Sequence, residues 1–347
     1  MLSRREFMVK GVGAALAVSA SGLLIRPPQT LARDVIAELH TCNGVKPMFG
    51  VTRDCPFSGF ELSDHKPLSP APVISAVEGD VLRIEVTNDK THPVGFKIEG
   101  LGVEEIIAPG ATIEAVVENP PVGTYIYYDH LGVQRILGAH GAIIVRPRSD
   151  NAPLVPGAEP VTGEGSNTGE VIAPPPTEKN TDTEYLWVFG AYDSIWGNRY
   201  AAGQSIDPKS YKPDVFTING RYGDGSSQAK DTSLRHKFGT PVLIRMVNPT
   251  PLYKSIHFHA EHPLVLDRTK IQKQTIGARK DVFTVAPMEV VTLHMNFTVP
   301  RDGYPVNAPA PGETDFRYPV HDHHELTNSL GGGAYPNGML TELEFLH

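Results

Sequence analysis

The chain has 347 residues, enough for two domains with two full hydrophobic cores. Its 31 basic and 39 acidic residues give a formal net charge of −8, which argues against a nucleic-acid partner. The 33 glycines and 31 prolines suit many short strands joined by turns and speak against a helical bundle.

The N-terminus reads "SRREFMVKG", with Arg4 and Arg5 paired and Phe7 two positions on. An apolar run from Gly11 to Ile25 follows, too short to span a bilayer comfortably and of the right length for a signal h-region. The twin arginines make residues 1–32 look like a Tat signal, with cleavage near Ala32. That predicts periplasmic export of an already folded protein with no stable membrane anchor afterwards. Cys42 and Cys55 are the only cysteines. An oxidising compartment favours a disulfide between them over a two-cysteine metal site, because no other soft ligand accompanies them.

From about Pro72 the chain alternates in short strands, "PVISAVEGDVLRIEVTND", "ATIEAVVENPPVGTYIYYDH" and "GAHGAIIVRPR", each punctuated by Gly or Pro. Residues 149–183 are rich in Pro, Gly and Thr and read as a linker. A second strand-rich block begins at "EYLWVFGAYD" and runs to residue 347. The two blocks repeat a plan. "VISAVEGDVLRIEVTN" is echoed by "VFTINGRYG…FGTPVLIRMVN", and each block closes on a histidine motif, "YYDH" or "VHDHH". No long amphipathic helix interrupts either block. The expected fold is all-β, two tandem Greek-key β-sandwiches at residues 33–148 and 184–347.

In "YPVHDHHELTNSL", His321 and His323 share one face of an extended strand, about 6–7 Å apart, and Asp322 points the other way. "SIHFHAEHP" places His257 and His259 in the same relation. A lone His-x-His on a strand is more often a surface or packing feature than a site. Two such pairs in matching places invite a metal.

The ordered series "EGDVLRIEVTN", "PPVGTYIYYDHLGVQRILGAHGAIIVRP", "FTINGRYG", "SIHFHAEHPLVL" and "VHDH" resembles the cupredoxin domains of the multicopper oxidases, over roughly residues 70–347 outside the linker. In that family a type-1 copper takes electrons from substrate, and eight histidines in four His-x-His pairs hold a three-copper cluster that reduces oxygen. The resemblance puts Lys97 and Glu99 at the first pair, Tyr128 and His130 at the second, His257 and His259 at the third, and His321 and His323 at the fourth. It puts Asp322 where the type-1 cysteine belongs, Lys254 where the opposing histidine belongs, and Thr327 near the downstream one; Met339 echoes the axial methionine. A blue copper site needs a thiolate, so no type-1 copper is expected.

The resemblance implies that His130, His259 and His321 form one complete three-histidine set for a single copper, with zinc or another metal open, and that His257 and His323 are possible further ligands. Glu99 and Tyr128 become candidate catalytic groups, a base or ligand and a hydrogen-bond donor; a solvated acid and a packed aromatic are their plainer roles. Two packing expectations follow, an ion pair of Lys254 with Asp322 and a matching one of His92 with Asp129. His262 and His324 are read as peripheral, and Gln134 and Arg135 as shaping the loop after His130. The implied function is an exported copper oxidoreductase acting on a small molecule or oxygen. The alternatives are a non-enzymatic metal-binding or scaffold cupredoxin protein. The resemblance also implies a homo-oligomer, a trimer being one form, in which a site can form within one chain or between subunits.

Overall fold

The computed structural model describes residues 32–46, 54–62, 67–147, 184–237, 239–297, 316–331 and 335–346. The expected signal segment, apart from Ala32, and the linker 149–183 lie outside the described residues.

Nine strands build the first sandwich: β1 (Asp34–Lys46), β2 (Cys55–Leu62), β3 (Ile74–Val77), β4 (Val81–Thr87), β5 (Val94–Ile98), β6 (Val103–Ile107), β7 (Thr112–Glu118), β8 (Gly123–Tyr128) and β9 (His140–Arg146). Ten build the second: β10 (Glu184–Tyr192), β11 (Val215–Ile218), β12 (Leu234–Lys237), β13 (Val242–Asn248), β14 (Lys254–Phe258), β15 (Leu264–Arg268), β16 (Val282–Val285), β17 (Glu289–Met295), β18 (Phe316–Asp322) and β19 (Leu340–Leu346). The first sandwich packs the sheet β2-β1-β4-β7 on β3-β9-β8-β5-β6, and the second packs β11-β10-β13-β17-β15 on β12-β19-β18-β14-β16. Strand for strand this is one topology used twice, with β15 added. The parallel pairs β1/β4 and β3/β9 reappear as β10/β13 and β12/β19. The two-block repeat of the sequence is therefore a repeat of fold.

Alternation drives burial. In β4, Leu82, Ile84 and Val86 turn inward to meet Phe60, Phe96 and Tyr127. In the second sandwich Trp187, Phe258, Phe283 and Phe345 are fully buried in an equivalent core. A third cluster joins the sandwiches: Val73, Ile126, Ala142 and Ile144 lie against Leu186, Val188, Val247 and Val290. At the same seam Glu184 accepts from Arg146 Nε at 2.8 Å and from Arg245 Nε at 2.6 Å. Burial would raise the Glu184 carboxyl, but the two guanidiniums hold it below the usual carboxylate range.

The repeat extends to turn chemistry. Asn88 closes β4 and donates its side-chain amide to the carbonyls of His92 and Ile107. Asn248 closes β13 and donates in the same way to Leu252 and Val285.

The expected disulfide does not form. Cys42 and Cys55 are free and buried, because the β1/β2 register pairs Cys42 with Gly59 and Cys55 with Lys46, four positions apart along the hairpin. Burial pushes both thiols up to about 12.

His140 opens β9 and is 2% exposed. Its Nδ1 meets the Arg135 carbonyl at 2.9 Å, while its Nε2 is buried with no hydrogen-bond partner. Burial lowers its pKa to about 4, against a smaller upward pull from that carbonyl. The folded state thus binds this proton less readily than the unfolded chain. The stability it contributes is intact above about 6.5 and is lost as pH falls toward 4. Urea titrations should show about 2 kcal/mol less stability at pH 4.5 than at pH 7 from this group. His140→Gln should flatten that slope; an unchanged slope would assign the acid sensitivity elsewhere.

Candidate metal centre

The β14/β18 register sets His257 directly opposite His321. Side chains two apart share a face, so His257, His259, His321 and His323 gather on the outer side of one sheet. Their rings are close: centroids are 4.4 Å apart for His257 and His259, 4.6 Å for His257 and His323, and 5.3 Å for His259 and His321. His259 Nε2 and His321 Nε2 face each other at 3.2 Å. Two nitrogens on one tetrahedral zinc- or copper-sized ion stand about 3.3 Å apart, given bond lengths near 2.0–2.1 Å.

Tautomers favour ligation. His321 Nδ1 lies 3.0 Å from the Asp322 carbonyl and His257 Nδ1 lies 3.3 Å from the Asp281 carbonyl. A carbonyl only accepts, so His257 Nδ1 carries the proton and its Nε2 keeps the lone pair; at His321 the 3.0 Å carbonyl favours the same tautomer over the longer 3.5 Å approach of the Asn328 amide nitrogen. Burial lowers the pKa of His257 and His259, and neighbouring histidines add to it. Both are therefore neutral over more of the pH range than a free imidazole. The donor set suits copper or zinc. Among the described residues, however, no three His, Cys, Asp or Glu side chains already surround one metal position. The pincer of His259 and His321 lacks a preset third arm.

His130 lies elsewhere. Its Nε2 is 3.9 Å from Glu104 Oε1, and its Nδ1 is buried without a hydrogen-bond partner. Gly95 makes room for it, since a Cβ there would sit 2.5 Å from His130 Nδ1. None of the described contacts joins His130 to the second-sandwich histidines. Around it the first sandwich presents a charged version of the same face. Lys97 pairs in register with Tyr128, as His257 does with His321. Lys97 Nζ bonds Glu104 at 2.6 Å, and the Tyr128 hydroxyl donates to Glu99 Oε2 at 3.0 Å. Lys270 from the second sandwich comes within 3.9 Å of Glu99, and the Arg135 guanidinium lies over the Tyr128 ring at 5.8 Å. Burial, then the Glu99 bond, pushes the Tyr128 phenol up to about 12, so it stays protonated. Glu99 and Tyr128 are a bonded pair, with no contact to the four histidines among those described.

Asp322 points into the second sandwich and is fully buried with Lys254, Nζ to Oδ2 at 3.8 Å. This is an ion pair without a direct hydrogen bond, since neither Lys254 Nζ nor Asp322 Oδ2 has a hydrogen-bond partner. The ammonium also sits over the Phe216 ring at 4.7 Å. Asp322 Oδ1 accepts from the backbone N–H of Ser255 at 3.0 Å and of His324 at 3.3 Å.

The expected His92–Asp129 pair is not made. Asp129 Oδ1 instead accepts from Gly95 N–H at 2.8 Å and Leu131 N–H at 2.9 Å, and His92 Nε2 and Asp129 Oδ2 are each without a hydrogen-bond partner. The two aspartates thus perform one duplicated task. Each lies between the strand-end residues of its motif and clamps the N–H two residues on to the N–H of the facing strand. The sequence signal was available, in the shared "DH" that closes each block, but the backbone donors that occupy the carboxylate are invisible until the strands pair.

A cupredoxin-fold protein with a histidine face on one sandwich and its charged counterpart on the other is the class these features define. Comparison with known proteins agrees. Residues 68–150 match the multicopper oxidase family model. L-ascorbate oxidase of Cucumis sativus is 34% identical over 93 residues, covering 22% of this chain and 16% of that protein. Laccase-7 of Oryza sativa subsp. japonica is 25% identical over 249 residues, covering 65% of this chain and 38% of its own length. The chain thus spans well under half of the curated relatives it matches. In fold it is similar to the blue copper oxidase from Nitrosomonas europaea, with a TM-score of 0.67 at 20% identity over 90% of this chain and 86% of that one. It is also similar to the copper nitrite reductase from Nitrosomonas europaea, with a TM-score of 0.60 at 15% identity over 90% and 94%. Residues 68–150 thus resemble a multicopper oxidase domain in sequence, and the chain as a whole shares the fold of these copper proteins.

Proposed function

We propose that the chain is an exported, copper-dependent oxidoreductase with no type-1 copper and one mononuclear centre. The observation that carries this reading is the His259–His321 pincer, its Nε2 atoms 3.2 Å apart and flanked by His257 and His323. His130 supplies the third arm from a neighbouring copy of the chain, in a homotrimer that lays the Lys97–Tyr128 face of one subunit against the histidine face of the next. The names of the relatives, ascorbate oxidase, laccase and nitrite reductase, favour copper and redox chemistry on a small molecule or oxygen. The "SRREF" leader favours the periplasm.

Bound copper would exchange single electrons with that small partner. The chain's own residues divide the remaining work. His257 and His321 are oriented by the Asp281 and Asp322 carbonyls, which fix Nε2 as the donor. Tyr128 holds a proton at its hydroxyl, bonded to Glu99 and ready for a reacting oxygen. The Lys254–Asp322 pair occupies the position where the resemblance places the type-1 copper ligands, so these residues offer a metal no thiolate there.

A non-enzymatic metal-binding or scaffold role is the second reading, favoured by the engagement of both Glu99 carboxylate oxygens, Oε2 by Tyr128 and Oε1 by Lys270. Metal analysis with electron paramagnetic resonance on protein matured in copper-replete cells tests the first. One copper per subunit with a type-2-like signal and no intense blue absorption is expected. Absence of bound metal, or a strong blue band, would refute it.

A further inference from the structure

A cavity of about 630 Å³ opens where the β1/β2 hairpin, the loop after β4 and the end of the helix Ser194–Ala201 meet. It shares no residue with the histidine face or with the Lys97–Tyr128 face. The helix belongs to the second sandwich and is locked onto the first. Gly197 lets it lie directly on β2, since a Cβ there would collide with the Pro56 carbonyl, and Asn198 donates to the Asp54 carbonyl at 3.1 Å. Lys90 donates to Ser58 Oγ and to the Tyr200 hydroxyl, the latter at 3.2 Å. Tyr200, which lines the cavity, is therefore held from both halves before any ligand arrives, and that lowers the ordering cost of binding.

Three observations bear on what it holds. Its volume falls within the roughly 300–1,000 Å³ of small-molecule sites. No residue lining it is an Asp, Glu, Lys or Arg. His92 is uncharged as well, because burial, then the Lys90 ammonium, lowers its pKa from an ordinary value already below 7. A charged ligand would thus leave water without meeting an opposite charge in the cavity wall. The third observation is the kind of polar group present. Asn43, Thr91 and Gln204 line the cavity as exposed residues, and none of their side chains is hydrogen-bonded to another described residue. An amide offers donors and an acceptor side by side, and a hydroxyl does both. An apolar ligand would cover these groups and strip them of water without replacing it. A molecule with several hydroxyls would satisfy all of them. Val45, Pro56 and the Tyr200 ring supply apolar surface for the C–H face of the same molecule.

We propose that this cavity binds a neutral saccharide of disaccharide size, its hydroxyls bonded to Asn43, Thr91 and Gln204 and one sugar face laid on Tyr200. The site goes beyond the redox function proposed above and does not rest on it.

The test titrates the full chain, metal-free and copper-loaded, with cellobiose and with maltose, followed by ligand-observed NMR. Lactobionate, a disaccharide acid, is the anionic control. Saturable binding of at least one neutral disaccharide is expected, equal with and without copper, and at least tenfold tighter than that of lactobionate. Asn43→Ala and Gln204→Ala should each weaken it several-fold, the worth of one hydrogen bond. Ala201→Trp places a large side chain at an exposed position of the cavity wall and should abolish binding in a folded protein. Absence of saturable binding by both neutral disaccharides, lactobionate binding as tightly as they do, or binding unchanged by Ala201→Trp would each overturn the proposal. Binding that appears only with copper would place the sugar at the histidine face and overturn it too. Saccharide binding in a protein that takes up no copper would support this site and refute only the metal centre.

Discussion

The Lys254→Met variant is expected to be about 3–5 kcal/mol less stable than the native protein, because it strands a buried carboxylate. Lys254 and Asp322 are both 0% exposed and 3.8 Å apart. Burial lowers the lysine pKa to about 8, and Asp322 opposes that fall, the mark of an ammonium kept charged by its neighbour at a solvation cost. Asp322 cannot swing to water once its partner is gone, since Oδ1 is held by the Ser255 and His324 amides. The double variant Lys254→Met, Asp322→Asn removes both charges and keeps an oxygen for those amides. It should recover to within about 1 kcal/mol of the native protein, as neutral replacements of buried pairs do. Urea titrations of the three proteins decide the matter. A single variant that loses less than about 1 kcal/mol would mean that the carboxylate is protonated or hydrated, and that the pair does not fill the pocket as an ion pair.

Much of this architecture is legible in the sequence because it is written twice. The closing Asn88 and Asn248, the alternating strands that precede them, and "YYDH" against "VHDH" fix the same positions in two Greek keys, and period-two alternation survives wherever one strand face is buried. Residues whose role depends on which strand lies opposite are harder to read. Cys42 and Cys55 are separated by twelve residues, a spacing that a hairpin can bridge, but the register offsets them by four. His92 and Asp129 were expected to pair, yet two backbone amides reach the carboxylate first. Conversely His257 and His323, which the family resemblance leaves as secondary ligands, stand 4.6 Å apart in the same cluster as His259 and His321. Side-chain facing was readable; the competition of backbone donors for a carboxylate was not.

The sharpest consequence concerns the third arm of the pincer. His259→Ala and His321→Ala are each expected to abolish stoichiometric copper uptake, since either removes one of the two facing Nε2 donors. The loss in affinity should exceed the 10–100-fold that even outer partners of a metal ligand are worth. His324→Gln, an exposed neighbour outside the ring cluster, should leave uptake unchanged and controls for general disturbance of the β18 end. His130→Gln separates the two ways of completing the site. His130 has no described contact with the four histidines of its own chain, and its Nδ1 is without a hydrogen-bond partner beside Gly95. If a neighbouring subunit's His130 closes the coordination shell, His130→Gln must weaken copper binding at least tenfold, and mixing it with His321→Ala protein must yield hetero-oligomers in which some interfaces regain a full ligand set. If instead His257 or His323 turns inward to become the third ligand, His130→Gln will bind copper as the native protein does, and the centre will assemble in a single sandwich. Equilibrium dialysis of copper against the four variants and the mixture reads out both cases. Native-like uptake by His130→Gln would remove the inter-subunit arm from the mechanism while leaving the histidine face as the metal site.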